Sequence, residues 1–253
     1  KMSDFKLESV FPTGLGQAEF YDIDYVNTLK SEILEEYRKD EDFAKRQGMG
    51  VHAFSDNHNF WQSDPLLHTR EFVSKLHDFA NENVANYMDK LGYIYEEFYT
   101  TQCWANVYEK AGSIHEHYHP NSFLSWIFFV SGQDSPLYFQ ENYPSMIQPE
   151  LKFPTPENSQ RLGWTPKSGL FVIWPSYLIH YSAPNKNDEE RITISGNIML
   201  SGKVGSYEDL SYVRTGLGDA YSSKVQALKD SGASDYDLNQ LKWRTRYKWN
   251  RDK

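Results

Sequence analysis

His115-Glu116-His117-Tyr118-His119-Pro120 is the stretch on which the reading of this chain turns. Three of the eight histidines fall there at every second position, just before an apolar run from Phe123 to Val130. Side chains of a β-strand alternate between its two faces. The spacing therefore sets His115, His117 and His119 on one face and Glu116 and Tyr118 on the other. Imidazole is a common ligand for borderline metals. Two or three of them on one strand make a half-site that lacks only a ligand from elsewhere. The competing reading is a chance cluster of solvated histidines.

Downstream, Trp174-Pro175-Ser176-Tyr177-Leu178-Ile179-His180 brings one more histidine after an apolar strand and a Pro turn. Arg191-Ile192-Thr193-Ile194-Ser195-Gly196-Asn197 then alternates strictly. Arg191, Thr193, Ser195 and Asn197 share one face, and Ile192, Ile194 and Ile198 pack behind. An arginine directed into a β-structure is a costly buried cation unless it is paired. A small carboxylate gripped by the guanidinium fork is the natural partner, with Thr193 and Ser195 as further donors.

Working outward, strands are expected at 98–108, 123–130, 136–140, 169–174, 177–182 and 191–200, with turn signals between them. Residues 143–166 read as a loop over the barrel mouth. Upstream, residues 5–11 read as an opening strand, and Val26, Leu29, Ile33 and Tyr37 as a helix capped by Asp22 or Asp24. Residues 39–63, with His52, His58 and Trp61, read as a surface excursion. Asp64-Pro65 opens a second helix whose stripe runs Leu66, Val73, Leu76, Ala80, Val84, Tyr87 and Leu91, stopped by Gly92. His68 and His77 of that helix are expected at its solvent side or edge. Helices early and evenly punctuated strands later indicate an α+β chain, mainly β: an antiparallel sandwich or barrel with helices on one face. After Lys203 a helical extension (204–253) is expected. Tyr221, Val225 and Leu228 would form one helix face, and Asp235 would cap a helix through Leu238 and Leu241. The extension ends in a basic–aromatic segment at 242–253, read as an amphipathic closing helix.

Composition narrows the functions. A net charge of −9 makes the chain a poor general binder of nucleic acid, which needs a basic face. The single Cys103 excludes an internal disulfide and fits a reducing, cytoplasmic setting. The first residues show no signal-peptide pattern. No run approaches the roughly 18 apolar residues of a membrane span.

Taken together, Trp104-Ala-Asn106-Val-Tyr108, Gly112, His117-Tyr-His119-Pro-Asn-Ser122, Trp174 to His180 with Pro184-Asn185, and Arg191 to Asn197 resemble the 2-oxoglutarate- and iron(II)-dependent oxygenases. The likeness is to a group found in phages and marine bacteria, within the prolyl-hydroxylase-like superfamily, and spans residues 104–197. It implies a double-stranded β-helix, or jelly roll, over residues 1–203 with the N-terminal helices packed against it. It also implies iron(II), 2-oxoglutarate and dioxygen as cofactor and cosubstrates. Hydroxylation of a small-molecule or peptidyl substrate would accompany release of succinate and carbon dioxide. Residue by residue, His117 and His180 take the two histidine ligand positions. Arg191 takes the site of the cosubstrate's C5-carboxylate, with Tyr108, Thr193, Ser195 and Asn197 as further cosubstrate contacts. His119 stands where most of the superfamily has Asp or Glu. The implied set is therefore His117, His119 and His180, which suits iron(II) and equally zinc. His115 remains an alternative ligand, and so does a carboxylate from elsewhere. Two other functions stay open: a three-histidine dioxygenase of the cupin type that uses no 2-oxoglutarate, and a non-catalytic metal-binding jelly roll. Trp104, Trp126, Tyr138 and Trp174 are pocket candidates.

Overall fold

The apolar run downstream of the histidines forms β5 (Leu124–Ser131), a central strand of the larger of two sheets. The structure, a computed structural model, describes residues 6–40, 59–132, 134–142, 147, 149–215, 227–232 and 234. Apart from Ser125 the run is apolar, because both of its faces are covered. Ile127 and Phe129 point between the sheets, where they pack with Leu137, Phe139, Val172 and Trp174. Trp126, Phe128 and Val130 point the other way, into a layer shared with the helices.

The chain alternates between the sheets. β3 (Glu97–Tyr108), β5, β8 (Leu170–Pro175) and β10 (Arg191–Val204) lie in the larger sheet, extended by β1 (Gly16–Glu19) beside β8 and β2 (Phe60–Gln62) beside β3. β4 (Ile114–His117), β6 (Leu137–Gln140), β7 (Arg161–Trp164) and β9 (Ile179–Ser182) form the smaller one, in the order β4-β9-β6-β7. All of these strand pairs are antiparallel. This is the double-stranded β-helix expected from the sequence. β10 is its spine: it pairs with β3 on one side, Arg191 opposite Tyr108, and with β5 on the other, Asn197 opposite Ser125.

Two 17-residue helices, α1 (Ile23–Lys39) and α2 (Ser74–Lys90), bury Val26, Leu29, Ile33, Leu76, Ala80 and Val84 in the layer behind the larger sheet. Asp22, rather than Asp24, caps α1 through the Tyr25 amide at 3.0 Å. The second helix starts later than Asp64-Pro65 predicts. The Asp64 carboxylate accepts from the amide of Leu66 at 2.8 Å, closing a turn. Its other oxygen engages Arg70. The Pro65 carbonyl accepts from Cys103 N at 2.9 Å, which ties this segment to β3. Two 3-10 turns, Leu67–Thr69 and Glu71–Val73, fill the interval.

Other expectations are corrected. Residues 6–11 are not a strand; they are exposed and irregular, and the opening strand is β1. Within the expected surface excursion, Phe60 and Trp61 are buried in β2. β7 lies inside the expected loop, paired with β6. His68 and His77 are buried rather than solvated, because the turns and α2 press them onto β3; His77 Nε2 lies 2.9 Å from Thr100 Oγ1. Past Lys203 the first element is β11 (Val213–Thr215), paired with the end of β10, and residues 227–230 are helical. His52, His58, Tyr221, Val225, Asp235, Leu238, Leu241 and the basic segment lie outside the described residues.

Candidate metal centre

β4 and β9 are neighbours in the smaller sheet, and their register sets His117 directly across from His180. His119 lies past the end of β4, whose pairing is irregular between Ile114 and His117. It is held instead by its own amide, which donates to the Ser176 carbonyl at 3.0 Å. Strand alternation thus gives the right face for the wrong reason: His119 reaches the site from a loop. Ring centroids stand 4.3 Å apart for His117–His180, 5.0 Å for His119–His180 and 5.2 Å for His117–His119. One nitrogen from each lies within 4.8 Å of the others.

The hydrogen bonds fix which nitrogen faces inward. Nδ1 of His117 lies 2.7 Å from the His115 carbonyl, and Nδ1 of His180 lies 3.0 Å from the Leu178 carbonyl. A carbonyl only accepts, so both Nδ1 atoms carry the proton and Nε2 keeps its lone pair. Nδ1 of His119 lies 2.5 Å from Asn197 Oδ1 and 2.9 Å from Ser125 Oγ. Burial, reinforced by the neighbouring imidazoles, holds His119 down to about 4 and His180 well below its ordinary value; burial likewise lowers His117. At neutral pH the three are uncharged imidazoles, the form a metal requires. His115 contributes its carbonyl and its ring stays outside the cluster, while Glu116 is exposed on the opposite face. Among the described residues no carboxylate joins the group.

The cluster opens on a cavity of about 360 Å³. Trp104, tilted against His119 with ring centroids 5.6 Å apart, and Trp174, 4.8 Å from His180, wall it. Among the described residues its wall contains no Asp, Glu, Lys or Arg. Tyr108, Ser195 and Asn197 line it; Thr193 is buried behind, accepting from Asn106 Nδ2 at 3.3 Å. Tyr138 and Trp126 do not line it. Trp126 sits in the core against Gly196, where a Cβ would lie 2.4 Å from the indole.

Arg191 is 2% exposed. It does not itself reach the cavity surface: the ring of Tyr108, which does, stacks 4.0 Å from the guanidinium. Nη1 donates to the carbonyls of Ser135 and Ala183, whereas the buried Nε and Nη2 have no hydrogen-bond partner. Burial lowers its pKa, and Tyr108 partly offsets this. Gly132, at φ +90°, gives the side chain room, since a Cβ there would lie 2.5 Å from Arg191 Cγ. A buried cation with two unused donors beside a polar cavity wall is suited to a carboxylate.

Sequence reasoning missed Ser125 and Ser176, both fully buried behind His119. The available signal was a hydroxyl inside the otherwise apolar Leu124–Val130 run. It also missed Phe60 and Gln62 of β2, which line the cavity.

Residues 102–197, from β3 to Asn197 on β10, match the family model described as "Putative 2OG-Fe(II) oxygenase". The matched span holds the three imidazoles and Arg191. Among solved structures the chain is similar to the epimerase SnoN, in complex with Fe3+, alpha-ketoglutarate and nogalamycin RO. The TM-score is 0.53 at 12% identity, over 74% of this chain and 79% of that one. It is also similar to a Pseudomonas putida prolyl-4-hydroxylase (TM-score 0.49, 15% identity, 75% and 94% covered). A third is the viral collagen prolyl hydroxylase of Paramecium bursaria Chlorella virus-1 (TM-score 0.45, 12% identity, 73% and 94% covered). At these identities the likeness is one of fold. No curated protein matches the chain.

Proposed function

We propose that this chain is an iron(II)- and 2-oxoglutarate-dependent dioxygenase of the hydroxylase type, acting on a small-molecule or peptidyl substrate. The observation that carries the reading is the pairing of three inward Nε2 lone pairs with the partnerless Nε and Nη2 of Arg191 inside one jelly roll.

His117, His119 and His180 hold the metal. Arg191 takes the distal carboxylate of 2-oxoglutarate through its free fork, with the Tyr108 hydroxyl and, behind it, Thr193 alongside. Bound iron(II) and 2-oxoglutarate would let dioxygen act as the oxidant, one oxygen atom going into succinate as carbon dioxide is lost and the other to the substrate. The protein's share is orientation and exclusion of water. Trp104 and Trp174 flank the imidazoles and keep the wall apolar where the substrate's reacting carbon would sit. Ser195 and Asn106 supply neutral hydrogen-bonding groups in the same wall.

Succinate formation that depends on added iron(II) and is lost in His180→Ala tests the reading; oxygen uptake with no succinate would overturn it. The donor set of three neutral imidazoles favours one second reading, a dioxygenase that binds substrate directly at the metal. Oxygen consumption indifferent to 2-oxoglutarate would select it, and Arg191 would then have no partner.

A further inference from the structure

The edge strand β2 gives the cavity a polar group whose orientation is fixed from behind. Strand alternation turns Phe60 and Gln62 to the cavity and sends Trp61 into the helix-facing core. Gln62 lies opposite Asn106 of β3, and Asn106 opposite Thr193 of β10. One row of polar side chains therefore crosses three strands. Gln62 Nε2 donates to Asn106 Oδ1 at 3.1 Å, and Asn106 Nδ2 donates to Thr193 Oγ1 at 3.3 Å. Both bonds run the same way, from the edge strand inward. Asn106 and Thr193 are buried, so water does not take either place. Turning the Gln62 amide over would set its oxygen against Asn106 Oδ1, two acceptors with no proton between them. The row thus decides which atom Gln62 presents. It is Oε1, an acceptor with no hydrogen-bond partner among the described residues. Neighbouring Ser63 has no such spare capacity: its Oγ donates to the Asp64 carbonyl at 2.9 Å and accepts from Ala105 N at 3.0 Å.

We propose that Gln62 is a specificity-determining residue whose Oε1 receives an N–H or O–H of an uncharged substrate. This rests on the oxygenase reading proposed above. The wall around Gln62 dictates the charge. Among the described residues an anion would find no Lys or Arg there, and a cation no Asp or Glu. An ionised group buried without a partner costs far more than a neutral one that is hydrogen-bonded. Phe60, Trp104 and Trp174 offer apolar surface to the rest of the ligand. A carboxamide or a hydroxyl carried on an apolar frame is the chemistry that fits. The inner end of the row supports the same polarity. Thr193 meets the Tyr108 hydroxyl. When that hydroxyl donates to a bound carboxylate, its oxygen is open to the Thr193 proton, and the row keeps its direction out to Gln62.

Four probes test this: benzamide, N,N-dimethylbenzamide, benzoate and benzylammonium. Each is titrated into the protein loaded with cobalt(II) and 2-oxoglutarate, whose paramagnetic ion broadens the proton resonances of molecules dwelling near it. Benzamide should bind about three- to tenfold more tightly than N,N-dimethylbenzamide, which lacks the donor, the range of one neutral hydrogen bond. Benzoate and benzylammonium should bind at least about tenfold more weakly than benzamide. Gln62→Leu should abolish the difference between the two amides, which separates the hydrogen bond from the bulk of the methyl groups. Gln62→Glu keeps an acceptor and adds a negative charge, so the preference should pass to benzylammonium, a gain that loss of structure does not imitate. Equal binding of the two amides to the parent, no broadening of any probe, or an amide preference that survives Gln62→Leu would overturn the assignment of Gln62 alone. A parent that binds no 2-oxoglutarate in calorimetric titration would remove the proposed function, and this inference with it.

Discussion

Replacing Arg191 with Met should separate ligand binding from folding. The guanidinium is 2% exposed, without a carboxylate partner among the described residues. It is held by two carbonyls at 3.2 and 3.0 Å and by the ring of Tyr108. Methionine fills much of the same volume and removes the charge. Relief of a buried unpaired cation is worth about 1–4 kcal/mol, and the orphaned carbonyls of Ser135 and Ala183 cost about 1–3 kcal/mol each, so the unfolding free energy should shift by between about +2 and −5 kcal/mol. The effect on 2-oxoglutarate is one-sided. Nε and Nη2 are the unused donors, and two charge-assisted hydrogen bonds are worth about 3–6 kcal/mol. At about 1.4 kcal/mol per decade, affinity should fall by at least about a hundredfold. Calorimetric titration of 2-oxoglutarate into the nickel(II)-loaded protein measures it. Thermal unfolding with and without 2-oxoglutarate supplies the second arm: saturating ligand at a hundred times its Kd stabilises the parent by about 2.7 kcal/mol, and the variant should show no such shift. Arg191→Lys keeps the charge but loses the fork, and should fall between the two. A folded Arg191→Met protein that binds 2-oxoglutarate within threefold of the parent would refute the reasoning.

Tyr108→Phe removes a hydroxyl that engages Arg191, Thr193 and Ser182 while keeping the ring over the guanidinium, so titration should show 2-oxoglutarate binding about tenfold weaker with stability little changed. His77 is buried on β3 and burial holds it down to about 4, against an ordinary value near 6.5. The unfolded chain therefore takes up a proton that the native state refuses. Stability falls as pH drops below about 6.5, by about 2 kcal/mol at pH 5 from His77 alone, and urea unfolding at pH 7 and pH 5 would expose a flat profile. Gly196→Ala forces a Cβ to 2.4 Å from the Trp126 indole in the core layer, and chemical denaturation should report a loss of about 2–3 kcal/mol.

The parts of this fold legible in the sequence are those where local pattern and tertiary demand agree. The strict alternation of Arg191 to Asn197 survives because β10 lies between two strands, with its isoleucines in the helix-facing core. Phe123 to Val130 gave away a strand but not its two-sided burial, since a run with only Ser125 polar carries little facing information. What failed were segments whose structure is decided by a distant partner. Asp64-Pro65 carries a strong helix-start signal, yet the β3 amide of Cys103 claims the Pro65 carbonyl, and the helix waits until Ser74. His68 and His77 read as edge residues because helical periodicity does not reveal that a 3-10 turn carries His68, and α2 His77, onto the same sheet. The short β7, inside a Pro-rich stretch, exists only by pairing with β6.

The site was legible for a different reason. Metal chemistry restricts residue type so strongly that histidine spacing carries information even when the predicted local structure is wrong. His119 is not on the strand that the two-residue period assigns to it, yet it joins His117 and His180 because its own amide is fixed to Ser176 and its ring to Asn197. What no spacing rule supplies is the charge balance. Three neutral imidazoles leave a divalent ion's charge uncompensated, and the Arg191 cation lies nearby behind Tyr108, while the described wall offers no carboxylate. Each group that would bind a dicarboxylate is cationic or neutral; Arg191 and His180 are buried and His117 and His119 half-buried, so water screens them weakly. A dianionic cosubstrate bridging ion and guanidinium is the arrangement that this imbalance favours, and an uncharged ligand would leave two like charges facing one another across a low-dielectric cavity.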